Sequence, residues 1–188
     1  MASIVLFHSA LGLTSSVRAF AGTLAHDGHD VLTPDLFDGE TFQTVEQGVR
    51  KRDALGIPEL MRRAHAAVEL TPRDSIFAGF SMGAAAAQFL AATRPDARGA
   101  ILMHAVLPLA AFGLESWPNV PVQIHTSEAD PWVEAPVLDA FAKAASAEVF
   151  RYPGNRHLFA ERGCAEYDVE SAATLERRVR KFVSSCNR

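Results

Sequence analysis

Three side chains far apart in the chain have the types needed for acyl transfer: Ser81, Asp130 and His157. Ser81 is the centre of Gly79-Phe80-Ser81-Met82-Gly83, a G-x-S-x-G that follows an apolar run from Ser75 and leads into the small residues Ala84 and Ala85. That context reads as a serine on a tight strand-to-helix turn, where backbone crowding admits only glycine-sized residues at the two flanking positions. A serine hydroxyl alone is a weak nucleophile and needs a neighbouring base. Of seven histidines, His157 lies in the loop just past the last expected strand and is best placed to overhang the turn. His26, His29 and His65 fall near helix ends or surfaces, and His104 and His125 fall at strand ends, where a hydrogen-bonded core role is expected. His8 ends the first strand and is expected to line the pocket. An acid that orients the base should follow another strand. Thr126-Ser127-Glu128-Ala129-Asp130-Pro131 offers Asp130 first and Glu128 second, with an N-cap or turn use as the plainer reading of an Asp-Pro pair. The chain order Ser, Asp, His is one of the known triad orders. Backbone N–H groups for a developing oxyanion would come from Met82 and from Ala10 or Leu11. The implied chemistry is attack of Ser81 on an ester-like carbonyl, proton transfer to His157, and hydrolysis of an acyl-enzyme without metal or cofactor.

The elements that would position these groups alternate regularly. Strands are expected at Ser3 to Phe7, His29 to Thr33, Ser75 to Ala78, Gly99 to His104, Val120 to Thr126 and Ala147 to Tyr152. Between them fall a helix capped by Thr14 or Ser15, two helical pieces hinged at Gly56 and Pro58, and an Ala-rich helix from Met82 to Ala92 stopped by Arg94-Pro95. A helix opened by Glu134 or Asp139 and a final amphipathic helix from Ala172 to Val183 complete the series. This predicts an α/β chain, a three-layer αβα sandwich on a mostly parallel sheet of about six strands, with reactive loops at the C-terminal strand ends.

Composition bounds the rest. With 188 residues and 48% hydrophobic content, the chain is expected to form one domain over 1–188 with a core that needs no staples. A net charge of −4 without a basic stripe argues against nucleic acid. Cys164 and Cys186 form neither a C-x-x-C pair nor a zinc set. No apolar run approaches the roughly 20 residues of a membrane helix. The N-terminus lacks a basic leader segment, so a cytoplasmic location and a monomer or small homo-oligomer are expected. Aromatic residues beside post-strand loops, namely Phe37, Phe42, Phe80, Trp117, Trp132 and Phe159, are candidates to shape an apolar pocket. The segment from Leu107 to Asn119 is long enough to border a cleft without sealing it.

Pro34-Asp35-Leu36-Phe37, the G-x-S-x-G, Glu128-Ala129-Asp130-Pro131, Tyr152-Pro153-Gly154 with His157-Leu158-Phe159, and Glu166-Tyr167-Asp168 together resemble the dienelactone hydrolase family over essentially the whole chain. The resemblance implies a minimal α/β-hydrolase fold without a large lid, a triad at Ser81, Asp130 and His157, and a small-molecule ester, lactone or thioester as substrate. Characterised members use cysteine as nucleophile, and this chain has serine. Glu40 lies in roughly the region of a family glutamate that contacts the resting thiol, and Arg156 is the candidate for a family arginine that binds a substrate carboxylate. The serine favours a general carboxylesterase over a hydrolase of dienelactone itself. Thioesterase or acyltransferase activity is the alternative among enzymes. Outside them stands a non-catalytic protein that binds a ligand in the same cleft.

Overall fold

The computed structural model describes residues 1–94 and 96–186. The helix stop expected at Pro95 lies outside these residues, as do the last two positions of the expected 1–188 unit. Six strands, β1 (Ser3–Phe7), β2 (Asp30–Leu32), β3 (Ile76–Phe80), β4 (Gly99–Met103), β5 (Val122–Ser127) and β6 (Glu148–Tyr152), form one sheet in the order 2-1-3-4-5-6. Every pairing is parallel. All the C-terminal strand ends therefore open on the same edge, and β3 delivers its last residue near the middle of that edge.

The strands alternate between two cores, as a period of two requires. Val5, Phe7, Phe77, Ala100 and Leu102 face one core, and Ile4, Leu6, Ile76, Ala78, Phe80, Ile101 and Met103 face the other. Helices α3 (Ile57–Ala67), α4 (Met82–Thr93) and α5 (Ala135–Ala145) cover the first core, and α1 (Ser15–His26) and α6 (Val169–Ser185) cover the second. Both faces being covered explains why β3 and β4 are buried along their whole length. Helix α2 (Val45–Leu55) lies outermost and buries only Gly48 fully. The hinge expected at Gly56 separates α2 from α3, with Gly56 at φ 80°.

Boundaries move where local bonds decide them. β3 runs two residues further than expected and abuts Ser81, because Ser81 N–H continues the ladder by donating to Met103 O at 2.7 Å. Helix α1 is capped by Thr14. Helix α6 begins at Val169, three residues early, where the Asp168 carboxylate accepts Ser171 N–H at 2.8 Å. Glu134, not Asp139, occupies the N-cap of α5, without a side-chain bond.

Candidate active site

The turn from β3 into α4 is as crowded as its two glycines suggest. A Cβ on Gly79 would stand 2.1 Å from Gly83 O, and one on Gly83 would stand 2.5 Å from both Phe7 O and His8 O. Ser81 itself has φ 49° and ψ −111°, a conformation that costs a serine about 1–3 kcal/mol and persists only where the surroundings impose it. The bond to Met103 O on one side and Ala84 N–H donating to Ser81 O at 2.8 Å on the other impose it here. The outcome is a hydroxyl lifted off the sheet edge at the mouth of α4.

His157 reaches that hydroxyl, its Nε2 2.7 Å from Ser81 Oγ. On the other side of the ring, Nδ1 lies 3.0 and 2.9 Å from the two carboxylate oxygens of Asp130. Both residues are buried, at 2% and 8% exposure. Asp130 Oδ1 also accepts Trp132 N–H at 2.9 Å, so the carboxylate makes its own turn as well as facing the histidine. The acid and histidine loops are tied together by Glu128 N–H donating to Tyr152 O and Ala129 N–H donating to Gly154 O. Leu158 N–H donating to Glu166 at 2.6 Å braces the far side of the histidine loop. Glu128, the second-choice acid, is exposed and takes no part in this chain of bonds.

Of the expected oxyanion donors, Leu11 is excluded because its N–H already donates to Ser9 Oγ at 3.1 Å. Ala10 lines the cavity beside Ser81, and neither its N–H nor that of Met82, the first residue of α4, has a partner among the described residues. The Ala10 loop is set by close packing against α2, since a Cβ on Gly48 would lie 1.7 Å from Ala10 O. Sequence reasoning passed over Gly48; its signal was a lone glycine inside a helical run.

Several expected pocket residues lie elsewhere. His8 is fully buried and sealed, accepting Leu36 N–H at Nε2 and lying 2.7 Å from Ser9 O at Nδ1; burial holds its pKa below the usual imidazole range. Phe80 and Phe159 pack in the core on the opposite side of the sheet, the face to which the strand period sends Phe80. Glu40 is half exposed and pairs with Lys51. Arg156 turns outward to Tyr167 O and Asp168. Phe37, Phe42 and Trp117 anchor the other core, Trp117 donating to Val120 O. Trp132 alone of these aromatics lines the cavity, 47% exposed, its ring centroid 5.7 Å from that of His157.

His125 fills the hydrogen-bonded core role expected of it, between Tyr152 and Gln123. His104 does not. It is fully buried at φ 69° with both ring nitrogens unpartnered, packed edge-on against Phe159 at 4.6 Å and beside His157 at 6.0 Å. Desolvation first, and then the proximity of His157, holds it neutral.

The cavity in front of Ser81 has a volume of about 590 Å³, within the usual range for small-molecule sites. Its walls come from α2, α3, α4 and the loop after β4. Among the described residues no group of three or more His, Cys, Asp or Glu is arranged to hold a metal ion. No helix among them is long and apolar enough to cross a membrane.

A family model described as the dienelactone hydrolase family matches residues 1–186. A search of curated proteins finds no match. Among solved structures, a dienelactone hydrolase-like promiscuous phosphotriesterase from metagenomic libraries superposes with a TM-score of 0.82 at 20% identity, covering 99% of this chain and 87% of its own. Est1E from Butyrivibrio proteoclasticus gives 0.70 at 16% identity, over 98% and 88% of the two chains. Thermogutta terrifontis esterase 2, phosphorylated by paraoxon, gives 0.62 at 18%, over 98% and 82%. At these identities the likeness speaks to the fold.

Proposed function

This chain belongs to the dienelactone hydrolase family, and we propose that within it the protein is a serine hydrolase acting on carboxylic esters, with Ser81 as nucleophile, His157 as general base and Asp130 as the acid that orients it. The reading is carried by the continuous path from Ser81 Oγ to His157 Nε2, at 2.7 Å, and from His157 Nδ1 to the Asp130 carboxylate. A purely binding protein has no need of that path. Asp130 fixes the tautomer that leaves Nε2 free to accept the Ser81 proton.

Attack then forms the Ser81 Oγ–carbonyl carbon bond while the carbonyl oxygen takes up negative charge. The free N–H groups of Met82 and Ala10 stand ready for that charge, with the positive end of the α4 dipole behind Met82. Collapse breaks the bond to the leaving alcohol, which departs with the proton from His157. A water molecule, deprotonated by the same nitrogen, attacks the acyl-enzyme and releases the acid and free Ser81.

Active-site labelling tests this reading. A fluorophosphonate probe, or paraoxon as used on the Thermogutta esterase, is expected to modify the wild-type protein once per chain at Ser81, and Ser81→Ala is expected to abolish both labelling and ester turnover. Folded wild-type protein that takes no label and cleaves no ester would sink it.

A further inference from the structure

The cavity beside Ser81 has a direction as well as a volume. Helix α4 buries seven of its twelve residues; Met82, Ala85 and Phe89 are only partly covered, and their three- and four-residue spacing puts them on one face that floors the cavity. Across from this floor, α2 presents Val45 and Val49, and α3 presents Leu60 and Met61. The floor runs from the residue next to Ser81 to Phe89, whose ring meets that of Phe112 at 5.7 Å. Seven residues of helix span about 10 Å.

The lining is also poor in ionisable side chains. Among the described residues Arg52 is the one ionisable side chain on it besides His157, and its guanidinium pairs with the exposed Asp53 carboxylate, with Nε and Nη2 each 2.8 Å from the same oxygen. Arg156, the residue expected to receive a substrate carboxylate, points away to Tyr167 and Asp168. A carboxylate brought into this cavity would lose water and meet, among the described residues, no cation that is not already paired with a carboxylate, which is costly. A hydrocarbon chain would lose nothing.

From the apolar floor, its length and the absence of an unpaired cation among the described lining residues, we propose that the acyl group is an uncharged chain of about eight carbons, lying along Met82, Ala85 and Phe89. Carbon–carbon bonds of about 1.5 Å in a zigzag advance roughly 1.25 Å per carbon, so about 10 Å accommodates eight. The substrate class is thus medium-chain carboxylic esters, not the charged lactones for which the family is named. This rests on the serine hydrolase reading above.

The test is kcat/KM for p-nitrophenyl esters from acetate to palmitate, together with a C8 ester that carries a terminal carboxylate. Burying one methylene is worth up to about a fourfold gain in binding. For six added methylenes in a partly open cavity, octanoate should exceed acetate by at least about 50-fold. The profile should level off or fall beyond about C10, and the terminal carboxylate should cost at least tenfold. Ala85→Trp, placed midway along the floor, should move the optimum to about C4. A flat or falling profile, or a charged C8 ester equal to octanoate, overturns the chain-length proposal while leaving the hydrolase reading intact. Failure of every ester together with failure of fluorophosphonate labelling overturns both.

Discussion

Replacing Gly48 by Ala sets two effects against each other. Gly48 is interior to α2, where helix propensity alone favours Ala by about 1 kcal/mol. The added Cβ, however, would sit 1.7 Å from Ala10 O and 2.5 Å from Ala10 C, against an ordinary contact limit of 3.4 Å, so one backbone must retreat by about 1.7 Å. Overpacking of this kind costs about 1–3 kcal/mol, and here the obstacle is main chain, which cannot rotate aside. The Ala10 loop is held by Gly12 N–H to Ser9 O, Leu11 N–H to Ser9 Oγ and Phe42 N–H to Leu11 O. Helix α2 has no other fully buried residue and is the element that yields. The net change should be a loss of about 1 kcal/mol in urea denaturation, with a larger effect on turnover. Retreat of α2 carries Val45 and Val49 off the cavity wall, and any yielding of Ala10 moves a proposed oxyanion donor. A displacement of this size should lower kcat/KM for octanoate ester about 10- to 100-fold. Gly22→Ala in α1 is the control, since a Cβ there meets nothing within 4 Å. It should stabilise by about 0.5–1 kcal/mol and leave kinetics unchanged. If Gly48→Ala instead matches Gly22→Ala in stability and kinetics, α2 does not press on the Ala10 carbonyl and the reasoning fails.

Three further changes probe the loop after β5 and the interior. Asp130→Asn should lower kcat by about a thousandfold or more, because an amide facing Nδ1 no longer selects the reactive tautomer; Glu128→Gln, on an exposed side chain, should change it less than twofold, and the reverse pattern in steady-state assays would reassign the acid. Glu161 is buried at 1% exposure, with neither carboxylate oxygen hydrogen-bonded among the described residues. Burial pushes its carboxyl from 4.5 up to about 7, with the Ser9 hydroxyl pulling weakly the other way. Between those values the native state holds a proton that the unfolded chain has lost, so Glu161 makes stability fall as pH rises from 4.5 through 7, by roughly 3 kcal/mol in all. Glu161→Gln should remove that slope, which urea denaturation at pH 5 and pH 8 would show as a gain confined to the higher pH. An equal gain at both values would mean that the group does not titrate in this window.

Much of the fold was legible because it rests on short-range rules. Short β-branched or apolar runs for the strands and three- and four-residue apolar spacing for the helices, punctuated by glycine, proline and capping residues, located the six strands and the six α-helices of the described residues to within a few residues, and the boundaries missed at β3 and α6 are set by single hydrogen bonds. The meeting of Ser81, Asp130 and His157 was also legible, since each follows a strand, and parallel strands bring their C-terminal ends to one edge. The pocket was not. Aromatic residues next to loops were the natural candidates, yet Phe80 and Phe159 belong to the opposite core, and the cavity is built instead from aliphatic helix residues such as Val49, Leu60 and Ala85 that look like ordinary core.

By itself the sequence determined that a glycine must stand at position 79, because that crowding is local: a Cβ there would meet Gly83 O in the same turn. Only the tertiary structure decided that Gly48 abuts Ala10, that Gly83 abuts the Phe7 and His8 carbonyls, that Ala10 N–H is without a partner among the described residues, and that Arg156 turns away from the cavity. Periodicity tells which side of an element is apolar. It carries no information about which distant backbone that side will meet, and the proposed choice of ester rests on that meeting.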